Sequence, residues 1–255
     1  MDDIDRFFAF ERRRHSLLST RAEPFEGGVA YFDDDYPERY VSNFLLVDDD
    51  EGTLTGDRLA SLADDILGGE RFSHRHVTVQ GERGERLASA FRDRGWEVAR
   101  IVVMALRRPP DRPAALSTEE CSFDEVRPLL EEIYRRELPR APETAARFVE
   151  QHAVWDRILG TRRFAARIHG TLAGQCELYV NGADSQVEYV DTLEEYRKRG
   201  IARAVVLAAA EAARRDGADR VFIVTDEDDG PKLLYERFGF DPIGHEWEFT
   251  RYPDR

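Results

Sequence analysis

Lysine is nearly missing from this chain. Lys198 and Lys232 are the only two among 37 basic residues, which face 51 acidic ones, for a formal net charge of −14. Duplex nucleic acid is held by neutralising phosphates along an extended basic face, so this balance argues against nucleic acid as a partner. Acidic runs such as Asp33-Asp34-Asp35 and Asp48-Asp49-Asp50 predict an acidic surface suited to a salty cytoplasm; a high-GC genome would also favour arginine over lysine. Cysteine is scarce as well. Cys121 and Cys176 are the only two, neither has metal-type spacing to a histidine, and both are read as reduced. No apolar run approaches the roughly 20 residues that a bilayer-crossing helix needs, and Met1-Asp2-Asp3 lacks the basic start of a signal peptide. The expectation is a cytoplasmic protein with no membrane partner, a monomer or homodimer, whose 42% hydrophobic content suffices for a buried core. His74 and His76 share a strand face, but no acids or thiols are placed to complete a metal site, and a structural role is expected.

What is present is organised around one loop. Val187-Glu188-Tyr189-Val190 reads as a strand, Glu194 to Gly200 as a turn, and Ile201 to Arg215 as a helix closed by Gly217. A helix start carries backbone N–H groups with no partner inside the helix, and the macrodipole adds positive charge there. Gly200 lets an anion approach that backbone, while Arg197, Lys198, Arg199 and Arg203 supply further charge. The plain alternative is a solvated helix start, with Glu194 and Glu195 just ahead of it.

Arg197-x-x-Gly200-x-Ala202 resembles the pyrophosphate loop of the Gcn5-related N-acetyltransferases, the GNAT superfamily. Leu234-Tyr235-Glu236-Arg237-Phe238-Gly239-Phe240 is similar to that family's Leu-Tyr-x-x-x-Gly-Phe signature, and the two motifs stand in the family's order and spacing. The resemblance covers most of residues 117 to 255. It implies a mixed α/β acyl-CoA N-acyltransferase fold and acetyl-CoA as cosubstrate, with direct transfer to an amine acceptor and no metal. The cofactor contacts it implies are Val190, Asp191 and Thr192 on the strand, Arg197 to Arg203 with Ile201 and Ala202 at the cradle, and Asp228, where relatives often carry asparagine. Tyr235 occupies the family position for the proton donor to the departing thiolate; its plain alternative is a core ring. Glu188 is the candidate base, and reads equally as an ordinary strand carboxylate. Strict alternation puts it on the face of Val190 and Thr192, with Asp191 on the opposite face as a weaker candidate and Gln186 where other relatives carry the acid.

The chain also repeats itself. Phe91-Arg92-Asp93-Arg94-Gly95-Trp96 parallels Tyr235 to Phe240, and Val77-Thr78-Val79 stands to the first as Phe222-Ile223-Val224 stands to the second. Two tandem halves follow, 1–108 and 114–255, joined through the proline-rich segment Arg108 to Pro113. The first half is expected to be degenerate: Asp48-Asp49-Asp50-Glu51-Gly52 replaces the phosphate loop, and Phe91 replaces the tyrosine. The rival reading is a non-catalytic acyl-CoA sensor. Locally, the sequence predicts a turn at Pro24, a strand over Val41–Val47, and helices at 123–137 and 143–159 walling the acceptor pocket.

Overall fold

The computed structural model describes residues 1–48, 53–69, 72–228 and 230–252. The fold is mixed α/β. In chain order the elements are α1 (Asp3–Leu18), β1 (Arg21–Phe25), β2 (Gly28–Phe32), β3 (Phe44–Val47), α2 (Gly56–Gly68), β4 (Arg75–Gln80), α3 (Gly84–Arg92) and β5 (Glu97–Leu106). After the proline-rich segment come β6 (Glu119–Cys121), α4 (Phe123–Glu137), α5 (Pro142–Leu159), β7 (Arg162–Ile168), β8 (Thr171–Asn181) and β9 (Asp184–Thr192). α6 (Ile201–Arg215), β10 (Arg220–Asp226), α7 (Pro231–Phe238) and β11 (Phe240–Arg251) complete it. None of the described helices is long and apolar enough to cross a membrane.

The predicted repeat appears in the strand order. β3–α2–β4 and β9–α6–β10 are both parallel strand pairs joined through a helix. Each is followed by a second helix and a glycine at positive φ, Gly95 at 75° and Gly239 at 101°, which L-residues with a Cβ rarely adopt.

The chain packs as two units whose boundaries interleave along the sequence. Unit 1 comprises residues 1–10, 104–224 and 233–242; unit 2 comprises 11–103, 225–232 and 243–255. In unit 2 the strands run in the order β1-β2-β3-β4-β11-β5. β11 pairs antiparallel with β4, Trp247 opposite Val79 and Phe249 opposite Val77. Its core therefore holds Trp247 and Phe249 of the final strand: Phe249 stacks on Phe91 with centroids 4.1 Å apart, and both of these are fully buried. At that depth the missing hydroxyl of Phe91 spares the core an unpaired polar atom.

In unit 1 the order is β10-β9-β8-β7-β6. α4 starts on Ser122, whose hydroxyl and the Glu125 carboxylate form a reciprocal capping box. α5 starts on Pro142 and ends at Gly160, φ 63°. The segment after β5 is sewn onto the α7–β11 turn: the Arg107 and Arg108 N–H groups both donate to the Gly239 carbonyl at 3.0 Å, and Asp111 N–H to that of Arg237 at 2.9 Å. A Cβ on Gly239 would stand 2.1 Å from the Arg108 carbonyl oxygen, so the signature glycine is required by close approach as well as by its φ.

Two local expectations change. Arg21–Phe25 is a strand despite Pro24, because it pairs only with β2 at the sheet edge, where proline's missing N–H breaks no ladder. The strand expected from Val41 begins only at Phe44: Tyr40–Ser42 is a one-turn 3-10 helix, since the buried Asn43 amide donates to the Tyr36 and Arg39 carbonyls and accepts from Asp33 N–H.

Candidate functional site

β9 and β10 run parallel in register from Asp184–Arg220 to Val187–Ile223. Ser185 to Val187 are buried; from Glu188 to Thr192 every residue is half-buried, so the strand surfaces just ahead of the helix start. The β8–β9 ladder slips here: Glu177 stands opposite Glu188, but Gln175 opposite Asp191, one extra residue on β9. The extra residue is accommodated at Tyr189, a non-glycine at φ 48°. The bulge overturns strict alternation. Cross-strand partners share a face, so Glu188 and Asp191 both lie on the side of α5, where Glu177 meets His152. Thr192 lies opposite Gly174 on the side of α6. Gly174 has no Cβ, which would stand 2.4 Å from the Asp191 carbonyl oxygen and 2.6 Å from Ile201 Cγ2; strand and helix start could not otherwise meet.

α6 opens at Gly200, φ 85°, and no side chain caps it. Nothing lies within 4 Å of where a Gly200 Cβ would be, so its conformation, not crowding, calls for glycine. Lys198 is also at positive φ, 63°. Arg197, Lys198 and Arg199 are exposed around this start, Arg199 with its guanidinium 5.5 Å from the Tyr196 ring centre. Glu195 is matched by Arg136 of α4, two hydrogen bonds of 2.7 and 3.0 Å that hold its carboxyl down at about 2. Ile201 is buried and Ala202 half-buried at the first turn. Arg203 is committed elsewhere: it donates to Asp111 at 2.6 Å and the Arg112 carbonyl at 3.0 Å, and lies over the Phe238 ring. The uncapped amides and the exposed Arg197–Arg199 suit a pyrophosphate.

Tyr235 of α7 is buried, 7% exposed, against Phe238 and Phe240. Among the described residues its hydroxyl makes no hydrogen bond. Burial raises its pKa, and the charges of Glu188 and then Cys176 and Asp191 push the same way, so the phenol keeps its proton at neutral pH. Cys176 is fully buried with its thiol pushed well up by desolvation, which removes it as a nucleophile. Asp228 is an exposed turn residue of unit 2 whose N–H donates to Asp226 Oδ1 at 2.9 Å.

Behind the bulge lies a buried ionic network. Glu177, with no exposed side-chain surface, accepts from His152 Nδ1 at 2.7 Å, Arg163 Nε at 3.2 Å and Tyr179 Oη at 2.6 Å. His152 Nε2 meets Tyr134 Oη at 2.8 Å, and Arg163 also pairs with Asp156. The His152 and Trp155 rings lie 4.8 and 5.6 Å from that of Tyr189, bracing the bulged residue. Burial works against the Glu177 charge, but His152 and Arg163 outweigh it and leave the carboxyl at about 2. Two glutamines flank the bulge: Gln175 Nε2 donates to the Tyr189 carbonyl at 2.9 Å and to Asp191 at 3.0 Å, and Gln186 Nε2 to Glu188 at 2.5 Å. Of this set, sequence reasoning singled out Glu188, Asp191 and Gln186 and missed Glu177, His152, Arg163 and Gln175; a glycine inside a strand pattern was the available signal for Gly174.

The corresponding place in the first repeat differs. α2 is capped by Thr55, whose hydroxyl accepts from Arg58 N–H at 3.2 Å, and a cavity of about 250 Å³ beside it is lined by Val47, Leu54, Gly56, Arg83 and Arg86 among others. Of the acidic run expected to repel a phosphate, Asp48 lies 3.8 Å from Arg12; Asp49 to Gly52 fall outside the described residues. His74 and His76 serve the protein, meeting the Asn43 carbonyl at 3.1 Å and Thr250 Oγ1 at 2.7 Å. Among the described residues no three metal-ligating side chains converge.

Residues 123–240 match the model of the acetyltransferase (GNAT) family. No curated protein matches the chain in sequence. Among solved structures, a functionally unknown conserved protein from Staphylococcus epidermidis superposes with TM-score 0.72 at 14% identity, covering 92% of this chain and 94% of that one. A GCN5-related N-acetyltransferase from Kribbella flavida gives 0.69 at 16% identity, over 100% and 97% of the two chains. A tandem GNAT protein from the clavulanic acid biosynthesis pathway gives 0.56 at 18%, over 89% and 79%. At these identities the likeness speaks for the fold. Over residues 123–240 the match to the acetyltransferase (GNAT) family model and the likeness in fold agree.

Proposed function

We propose that the chain is a cytoplasmic N-acetyltransferase of two tandem domains, 1–108 degenerate and 114–255 catalytic, that moves the acetyl group of acetyl-CoA directly to a primary amine. The observation that carries this is the convergence on one sheet of the uncapped α6 start, the surfaced bulge at Glu188–Thr192 and the protonated Tyr235 phenol. In this reading the amides of Gly200 to Arg203, with Arg197, Lys198 and Arg199, hold the pyrophosphate. The backbone at Val190 to Thr192 binds the pantetheine and polarises the thioester carbonyl.

Glu188 takes one proton from the incoming ammonium, directly or through water. The freed lone pair then forms the C–N bond at the thioester carbon. On collapse the C–S bond breaks, Tyr235 gives its proton to the departing thiolate, and the phenolate regains one from the amide-forming nitrogen through solvent. Amide, CoA thiol and one released proton balance the reaction. The test is release of free thiol from acetyl-CoA with a panel of amines. Amine-dependent release absent from Gly200→Asp supports the reading; tight acetyl-CoA binding with no release across the panel makes the chain a sensor instead.

A further inference from the structure

The proline-rich segment after β5 faces α6 across a cleft of about 360 Å³, all of whose walls belong to unit 1. Leu207 and Ala208 line it from the helix, Pro113 and Leu116 from the segment. Volume and apolar lining are those of a small-molecule site. The walls are fixed to one another: Arg203, 6% exposed, donates to Asp111 and to the Arg112 carbonyl, and Asp111 N–H donates to the Arg237 carbonyl, so the segment is tied to both α6 and α7. Neither Glu188 nor Tyr235 lines the cleft, which sets it apart from the groups assigned to acetyl transfer. Two charges do line it, Glu211 and Arg214 of α6, both exposed. Residues three apart on a helix are neighbours, about 5–6 Å between Cβ atoms. The two nevertheless do not pair, and among the described residues neither makes a hydrogen bond or an ion pair.

We infer that this cleft binds a free apolar α-amino acid, with its carboxylate on the Arg214 guanidinium, its ammonium on the Glu211 carboxylate and its side chain against Leu207, Ala208 and Leu116. An α-amino acid carries its two opposite charges one carbon apart beside an apolar group, which is the pattern the cleft presents. A fatty acid would set its carboxylate beside Glu211, and an alkylamine its ammonium beside Arg214; the zwitterion matches both charges at once. The inference does not depend on the acetyl-transfer reading: the cleft takes its ligand whether the chain is an enzyme or a sensor.

The experiment is calorimetric titration of the intact chain at pH 7.5 and physiological salt with L-leucine and three analogues that each lack one part of it: 4-methylpentanoate has no ammonium, 3-methylbutylamine no carboxylate and glycine no side chain. L-Leucine is expected to bind at one site and each analogue at least roughly tenfold more weakly, the loss for one charge-assisted contact or one buried apolar side chain. Glu211→Gln and Arg214→Gln should each weaken L-leucine by a similar factor, and Ala208→Trp, which fills the cleft, should abolish binding. Glu211→Gln should at the same time bind 4-methylpentanoate more tightly than the parent does, a gain that misfolding cannot produce. Absence of saturable binding by L-leucine, L-methionine and L-phenylalanine up to about 10 mM overturns the inference. So does L-leucine binding that survives Ala208→Trp or both charge variants, which would place it elsewhere on the chain. Equal binding of 4-methylpentanoate and L-leucine by the parent overturns it too, and makes the cleft a site for simple carboxylic acids.

Discussion

Replacing Glu177 by glutamine keeps the shape of the buried network and removes its central charge. The carboxyl sits at about 2 in the folded protein against an ordinary 4.5, because the opposing charges of His152 and Arg163 outweigh the cost of burying it. At roughly 1.36 kcal/mol per unit, the ionised form contributes about 3 kcal/mol of stability at neutral pH. The sign follows from the depressed value: that stability is fully present above about 4.5 and is lost as pH falls through 4.5 towards 2. Glu177→Gln is therefore expected to lose about 3 kcal/mol at pH 7, in line with breaking a buried ion pair. In a chain this size that lowers the melting temperature by roughly 6–12 °C. The assay is urea or thermal unfolding at pH 7, 5 and 3. Parent and variant should differ most at pH 7, and the gap should shrink to about half, roughly 1.5 kcal/mol, by pH 3. A variant within 1 kcal/mol of the parent at pH 7, or a gap indifferent to pH, would refute the network's role. Because His152 braces Tyr189, amide exchange at the bulge should quicken in the same variant.

Tyr235→Phe is expected to keep the fold and acetyl-CoA affinity but to lower turnover 10²–10⁴-fold, the usual contribution of a general acid; turnover within threefold of the parent would make it a packing residue. Gly239→Ala forces a Cβ to 2.1 Å from the Arg108 carbonyl oxygen at φ 101°, and should destabilise unit 1 by about 3 kcal/mol in chemical denaturation; an unchanged midpoint would show that the turn gives way. Glu248 has the opposite sign to Glu177: burial, then the charge of Asp226, lift its carboxyl to about 7, so its contribution to stability is present below about 4.5 and lost as pH rises through 7. Glu248→Gln should thus stabilise unit 2 by about 3 kcal/mol at pH 8 and hardly at pH 4, and a gain of equal size at both would contradict that account.

The strand–turn–helix around Gly200 was legible because its signals are local: an apolar run, a glycine, then helical periodicity closed by Gly217. The Leu234–Phe240 motif, which falls on α7 and the start of β11, was legible for the same reason. What escaped was set by distant partners. His152 and Glu177 are 25 residues apart and meet only because α5 lies over β8. The slip at Tyr189 follows from β8 opposite it, which no β-propensity in Val187–Val190 reveals, and it decides which face Asp191 takes. Likewise Trp247 and Phe249 fill the core around Phe91 through pairing with β4, a long-range match invisible to periodicity in either segment. Pro24 misled because the sequence does not say which strand will be an edge.

The central claim is that the α6 start, and not its counterpart at α2, holds acetyl-CoA. Calorimetric titration of the intact chain with acetyl-CoA tests it most directly. One site per chain, with affinity reduced at least tenfold in Gly200→Asp and unchanged in Arg83→Ala, is the predicted result. A stoichiometry of two, or binding that survives Gly200→Asp and falls in Arg83→Ala, would move the cofactor to the cavity beside Thr55 and contradict the account.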